Sequence, residues 1–223
     1  MPICFASRNP GDDASLAAMP IQLGARQCDA LAELLPVLIC GEESANLVFA
    51  QLAQAPTLSA QAHRALAGIE RDEATHEQLL LQVRAALPEP PVNAALLRAA
   101  RHFFLRLYEA DIGRHFARIT ALDSAVCTLL GALRHHSRPL ARAPMLAGIF
   151  ARIHRDEVRH VVVARAHARQ LIGASQARAI AIDTRHQLVE LLRHRADALE
   201  QILGVDPDKL FVRLRNPARA LFA

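Results

Sequence analysis

Two short stretches of this 223-residue chain carry the same side chains at the same spacing. Residues 70–78 read ERDEATHEQ and residues 154–160 read HRDEVRH, so Asp72, Glu73 and His76 recur as Asp156, Glu157 and His160. On an α-helix, positions i and i+3 share a face. Glu73 therefore points the same way as His76, and Glu157 the same way as His160. Each pair offers a carboxylate and an imidazole to one spot. Ile69 and Leu80, and Ile153 and Ala164, extend an apolar stripe along that side, so the spot faces a helical interior. A carboxylate removed from water is costly unless it is paired or bound to a metal. One such motif is a weak signal, because surface Asp, Glu and His are common. Two copies are a much stronger one.

Two other segments place a glutamate among apolar residues: Glu43 in LICGEESANLVFAQLA and Glu109 in FFLRLYEADIGRHF. The count becomes one Glu from each of two helices and one Glu-x-x-His from each of two more. That is the inward-pointing donor set of di-iron and di-manganese carboxylate bundles. Mixed carboxylate and imidazole donors suit Fe(II) and Mn(II). Twenty-eight residues separate Glu43 from Asp72, which brings Glu43 and Glu73 to one level in a helical hairpin. Glu42, next door, is the alternative. The second half is less regular, with forty-six residues between Glu109 and Asp156. Helix three is then expected to stop near 119, with a short helix at about 121–134 inserted before helix four and capped by Thr120. A longer third helix projecting past the bundle is the other possibility. Glu70, one turn before Glu73, and His154, one turn before Glu157, are candidates for supporting the donors. His102 and His167 are candidates for an extra ligand or a proton carrier, or are simply partly exposed histidines; Tyr108 suits a radical role or ordinary packing; and Gly113 leaves room for O2 or substrate or serves close helix packing.

The elements that must hold these residues are helical. Ala, Leu and Arg dominate, and they lose little side-chain freedom in a helix. Helices are expected at about 24–53, 60–87, 95–119, 144–172 and 175–203, with Ser59 as a cap and breaks at 54–60, 87–93 and 135–144. Residues 1–20 read as irregular. Pro88, Pro90 and Pro91 favour an extended link, which at ~3.1 Å per residue spans roughly 28 Å over nine residues. The expected fold is a single all-α domain over 1–223, with the bundle at about 26–172 and a helical extension at about 175–223. A net charge of +4, without a basic block or an aromatic platform, gives no sign of nucleic-acid binding. Cys4, Cys28, Cys40 and Cys127 show no C-x-x-C spacing, against a zinc ribbon or rubredoxin-like site. With no signal-like N-terminus and no apolar run near ~20 residues, a cytoplasmic protein away from membranes is expected.

The paired D-E-x-x-H motifs, each with a helical glutamate ahead, resemble the ferritin-like di-iron carboxylate superfamily over about residues 26–172. The E-x28-D-E-x-x-H spacing is most similar to its O2-activating oxygenase branch, which includes the arylamine N-oxygenases. The resemblance implies a ferritin-like four-helix bundle with Glu43, Glu73, His76, Glu109, Glu157 and His160 as metal ligands. It also implies that Asp72 and Asp156 each hydrogen-bond the histidine of the opposite motif. The cofactors implied are two Fe ions, with Mn or mixed Mn/Fe as variants, and O2 as co-substrate. The expected function is oxidation of a small organic substrate by hydroxylation, N-oxygenation or desaturation. The alternative is a ferroxidase, peroxidase or iron-storage protein of the bacterioferritin or rubrerythrin kind. Expected partners are the small-molecule substrate and an external electron donor, with a homodimer as the candidate assembly.

Overall fold

The computed structural model describes residues 21–52, 58–90, 93–218 and 221–222, with the backbone alone for 50–52. The expected irregular segment 1–20 and most of the expected turn at 54–60 lie outside these residues. Among the described residues there are eight α-helices, one 3₁₀ turn and no strand. The helices are α1 (Ala25–Leu52), α2 (Ala60–Ala85), α3 (Ala94–Leu105), α4 (Ile112–Leu133), α5 (Pro144–Ile172), α6 (Ala174–Arg193), α7 (Ala196–Leu203) and α8 (Asp208–Arg215).

Four long helices position the motifs. α1 pairs with α2, α4 pairs with α5, and α2 meets α5 to join the two hairpins. Reversed contact order makes α2–α5 and α4–α5 antiparallel, and α1 and α2, joined by a short connection, form a helical hairpin. Asn46 of α1 donates to Glu77 of α2 at 3.1 Å. His76 and Asp72 of α2 meet Asp156 and His160 of α5 in reverse order. Gly113, in the first turn of α4, lies against Leu171 and Ile172 in the last turn of α5. α2 and α4 therefore run parallel, and the chain between them must return along the length of the helices.

That return is where the structure departs from the expected helix over 95–119. The segment is two helices. Asn93 caps α3 through its side-chain oxygen, which accepts from Leu96 N–H at 2.9 Å. α3 ends at Leu105, and Asp111 caps a new helix by accepting from Arg114 N–H at 2.9 Å. Thr120 is no cap. Its hydroxyl donates to the Phe116 carbonyl at 2.8 Å inside an unbroken α4. The extra helix thus precedes the third long helix rather than following it. At 12 residues and 1.5 Å per residue, α3 covers about 18 Å of the return that an extended proline link was expected to span. Between α4 and α5 there is only a 3₁₀ turn, Pro139–Arg142. Ser59 does cap α2, accepting from Ala62 N–H at 3.1 Å.

α4 is the most enclosed element, contacting α5, α6, α7 and α8. Its mean hydropathy of 1.4 over an 18-residue window reflects this, and by length and composition it alone among the described helices would also suit a membrane. α6 crosses α4, where the buried Arg185 donates to the Ala121 carbonyl, to Ser124 Oγ at 2.7 Å and to the Leu214 carbonyl of α8. The helix expected over 175–203 is broken at His194–Arg195 into α6 and α7, and α7 packs on α1. Gly173 and Gly204, both at positive φ, end α5 and α7.

Candidate metal centre

The two D-E-x-x-H motifs face each other where α2 and α5 cross. His76 Nε2 lies 3.3 Å from Asp156 Oδ2, and His160 Nε2 lies 3.0 Å from Asp72 Oδ2. Each aspartate therefore contacts the histidine of the opposite motif. Arg159, on the solvent side, donates to both Asp72 and Asp156. An imidazole whose Nε2–H is held by a carboxylate turns its Nδ1 lone pair to the other side. Both Nδ1 atoms point into the helix interior.

There they meet carboxylates. His76 Nδ1 is 3.4 Å from Glu157 Oε1, 3.5 Å from Glu73 Oε2 and 3.8 Å from Glu42 Oε2. His160 Nδ1 is 3.3 Å from Glu73 Oε1 and 3.7 Å from Glu157 Oε2. Glu73 and Glu157 each turn one oxygen to one histidine and the other oxygen to its partner. Glu42 closes the group on the His76 side. Asp123 of α4 closes it on the His160 side, where Asp123, Glu157 and His160 converge. Two overlapping donor groups result, Glu42–Glu73–His76–Glu157 and Asp123–Glu157–His160, each with its donor atoms within 4.8 Å of one another. His76 and His160 are essentially fully buried, and Glu73, Asp123 and Glu157 are 3–6% exposed.

Four of the six expected ligands are brought together: Glu73, His76, Glu157 and His160. The position expected of Glu43 is taken by Glu42, the alternative. Glu43 is buried one residue away, outside both groups. Glu109 is not at the site. It lies in the loop between α3 and α4, where Arg118 Nη2 holds its Oε1 at 2.8 Å and Arg114 Nη2 at 3.3 Å. The loop exists because α3 stops at Leu105, and Asp123, fourteen residues further on, occupies the place assigned to Glu109. A sequence signal for Asp123 exists. Twenty-nine residues separate Glu42 from Asp72 and thirty-two separate Asp123 from Asp156, so the two hairpins match far better than with Glu109. Glu70 is half-buried and outside both groups. His154 sits beside α4, near Cys127 and Arg134, also outside. His167 stacks on Phe116 at 4.7 Å, and His102 is exposed. The room at Gly113 is filled by α5, since an added Cβ would lie 2.6 Å from Ile172 Cγ2.

The electrostatics fit a site built for cations. Burial opposes charge on both imidazoles, but the carboxylates around them outweigh it. Glu157, Glu42 and Glu73 hold His76 far above its ordinary value, and Glu157 and Glu73 raise His160 to about 11. Burial and the nearby Glu73 push Glu42 well above the usual carboxylate range. Burial and the charge of Glu157 do the same to Asp123. Glu73 goes the other way: burial is outweighed by the polar contacts of its carboxylate with Glu42, His160 and His76. His76 Nδ1, His160 Nδ1, Glu157 Oε2 and Asp123 Oδ2 are among the buried atoms that complete no hydrogen bond. All four belong to this cluster, in an interior where an unmatched polar atom costs about 1–3 kcal/mol. Four carboxylates facing two imidazoles, with lone pairs converging, form a donor set that can hold metal ions and is compatible with a di-iron site.

The cluster opens on a cavity of about 100 Å³ between α1 and α4. Glu42, Glu73, Asp123 and Glu157 form one wall, and Val37, Val48, Leu107 and Ile119 are among the apolar residues that form most of the rest. No known protein family, curated protein or solved structure matches this chain. The structure defines an all-helical protein with a buried carboxylate–histidine cluster that could bind metal.

Proposed function

We propose that this protein is a non-haem di-iron oxygenase or oxidase acting on a small organic substrate. In this reading α1, α2, α4 and α5 form a ferritin-like four-helix bundle. Glu42, Glu73, His76, Asp123, Glu157 and His160 would hold the metals. Iron bound there supplies the electrons and the O2 chemistry. Asp72 and Asp156 fix the two imidazoles with Nδ1 inward and accept from Nε2–H, and Arg159 holds both aspartates in place. Electrons come from a separate donor or from the substrate.

The apolar cavity against the carboxylate wall carries the choice of an organic substrate. A path built for iron as cargo would need polar side chains along it, because hydrated cations are not stabilised by Val, Leu and Ile. The apolar walls keep water from the cluster and place a hydrophobic group beside it.

Anaerobic titration with Fe(II), read by iron analysis, should saturate near two irons per chain. Admission of O2 should then consume about one O2 per loaded site and oxidise an added apolar amine or hydrocarbon from a screening set. Continued uptake to hundreds of irons per assembly, with no organic product, would transfer the assignment to iron oxidation and storage.

A further inference from the structure

The far end of the cavity is not apolar. Eight residues before Asp123 on α4 lies His115, and next to its following turn lies Arg118; both line the cavity. His115 is only 4% exposed, and neither ring nitrogen completes a hydrogen bond among the described residues. The Leu107 carbonyl approaches it, and Phe49 and Tyr108 flank its ring at 6.2 and 6.3 Å. A buried imidazole with two unmatched nitrogens is costly in a chain that could place Phe there. Arg118 is 14% exposed. Its Nε and Nη2 hold Glu109, while Nη1 reaches only Thr184 Oγ1, at 3.4 Å. Arg114 shares the same Glu109 oxygen at 3.3 Å and has Asp111 nearby as well, so Glu109 does not belong to Arg118 alone, and Nη1 keeps an N–H for another acceptor.

We propose that His115 and Arg118 bind the acidic head of the substrate, a slender monocarboxylate whose apolar tail runs along α4 to the metal cluster. This deepens the oxygenase reading and rests on it. Eight helical residues rise about 12 Å, which sets the distance between head site and carboxylate wall. Arg118 supplies the charge and one N–H through Nη1, and the neutral His115 donates a second hydrogen bond. Ile119, one turn from His115, and Val48 across from it on α1 bracket the tail. The head site thereby decides which carbon of the chain meets the metals.

Octanoate and octan-1-ol, measured by calorimetry on the metal-loaded protein, test the charge. Octanoate should bind about tenfold tighter or better, and Arg118→Gln should bring the two ligands to equal affinity. His115→Phe, which keeps the volume and the aromatic packing, should weaken octanoate several-fold and leave octanol nearly unchanged. Circular dichroism of each variant secures the comparison, and either variant suffices. Loading with Mn(II) tests the direction: the ω-methyl protons of octanoate should relax faster than the protons beside its carboxylate. Equal affinities in the parent protein, or faster relaxation next to the carboxylate, would overturn the head site while leaving the metal centre standing. Failure of the chain to bind Fe(II) or Mn(II) at all would overturn the oxygenase reading instead.

Discussion

Replacing Asp123 by Asn should move stability in opposite directions with and without metal. In the metal-free protein, burial and the neighbouring Glu157 charge hold the Asp123 carboxyl well above its usual range. A raised carboxylate value means that the folded state disfavours the charged form, so near neutral pH this side chain costs stability. Asn keeps the shape and removes the charge. The metal-free variant should gain about 1–2 kcal/mol, the low end of what replacing strained buried charge yields. For a chain of this size that is a rise of about 2–8 °C in Tm. With metal the sign reverses. A site filled at one hundred times its Kd stabilises by about 2.7 kcal/mol, so losing one of two sites should lower the loaded Tm by about 5–11 °C. Differential scanning calorimetry, with and without Mn(II), gives both numbers, and metal analysis should fall from two ions per chain towards one. Glu109→Gln is the control. Glu109 sits with Arg114 and Arg118, so its loss should leave two ions bound. Two ions retained by D123N together with one lost by E109Q would refute the placement of α4 and restore the ligand first expected from the sequence.

Metal binding should release protons. His160 is raised to about 11 and His76 further, so each carries a proton near neutral pH that a metal must displace. Calorimetry of Mn(II) binding at pH 7.5 in buffers of differing ionisation enthalpy should report at least two protons per chain, and none released would contradict the buried charge pattern. In the metal-free protein, the stability from the raised histidines is fully present below their ordinary value of 6.5 and is lost as pH rises through about 11. The contribution of Glu73, whose value is depressed, is present above 4.5 and is lost as pH falls through its folded value. Gly113→Ala should cost about 1–3 kcal/mol in urea unfolding, because the new Cβ would fall 2.6 Å from Ile172 Cγ2 and 2.8 Å from Leu171 Cβ at a packed helix crossing.

Much of the site is legible in the sequence because the chemistry is local. Glu73–His76 and Glu157–His160 are set by i, i+3 spacing, and nothing in the tertiary fold can separate them. Glu42 and Glu43 are harder to tell apart. Adjacent helical positions differ by about 100°, and α1 is apolar on several sides, so its pattern does not say which carboxylate faces α2. Both are substantially buried, and only Glu42 reaches His76. Asp123 and Glu109 fail for a different reason. The apolar run across 103–119 reads as one helix, and the cap at Asp111 that divides it is a single carboxylate competing with strong periodicity. Once that cap is recognised, α4 runs unbroken to Leu133, ten residues past Asp123, and α5 begins thirteen residues before Glu157, which levels the two across the turn. The helical class and the Ser59 cap follow from composition and local hydrogen bonding. The return through α3 depends on how α2 and α4 align, which no window of sequence contains.

The crossed contacts between each aspartate and the opposite histidine also constrain the order in which this molecule matures. His76 and Asp156 are 80 positions apart in the chain, and Asp72 and His160 are 88 apart. Neither hairpin can orient its own imidazole. Forming either contact closes a long loop, a step that comes late because its entropy must be met before the contacts reward it. A chain with only α1 and α2 assembled holds three donors of one group, Glu42, Glu73 and His76, and none of the other, so it completes neither. Tight metal uptake therefore reports that both hairpins have docked in register, and a trace-metal assay on nascent or refolding protein would time the completion of the fold.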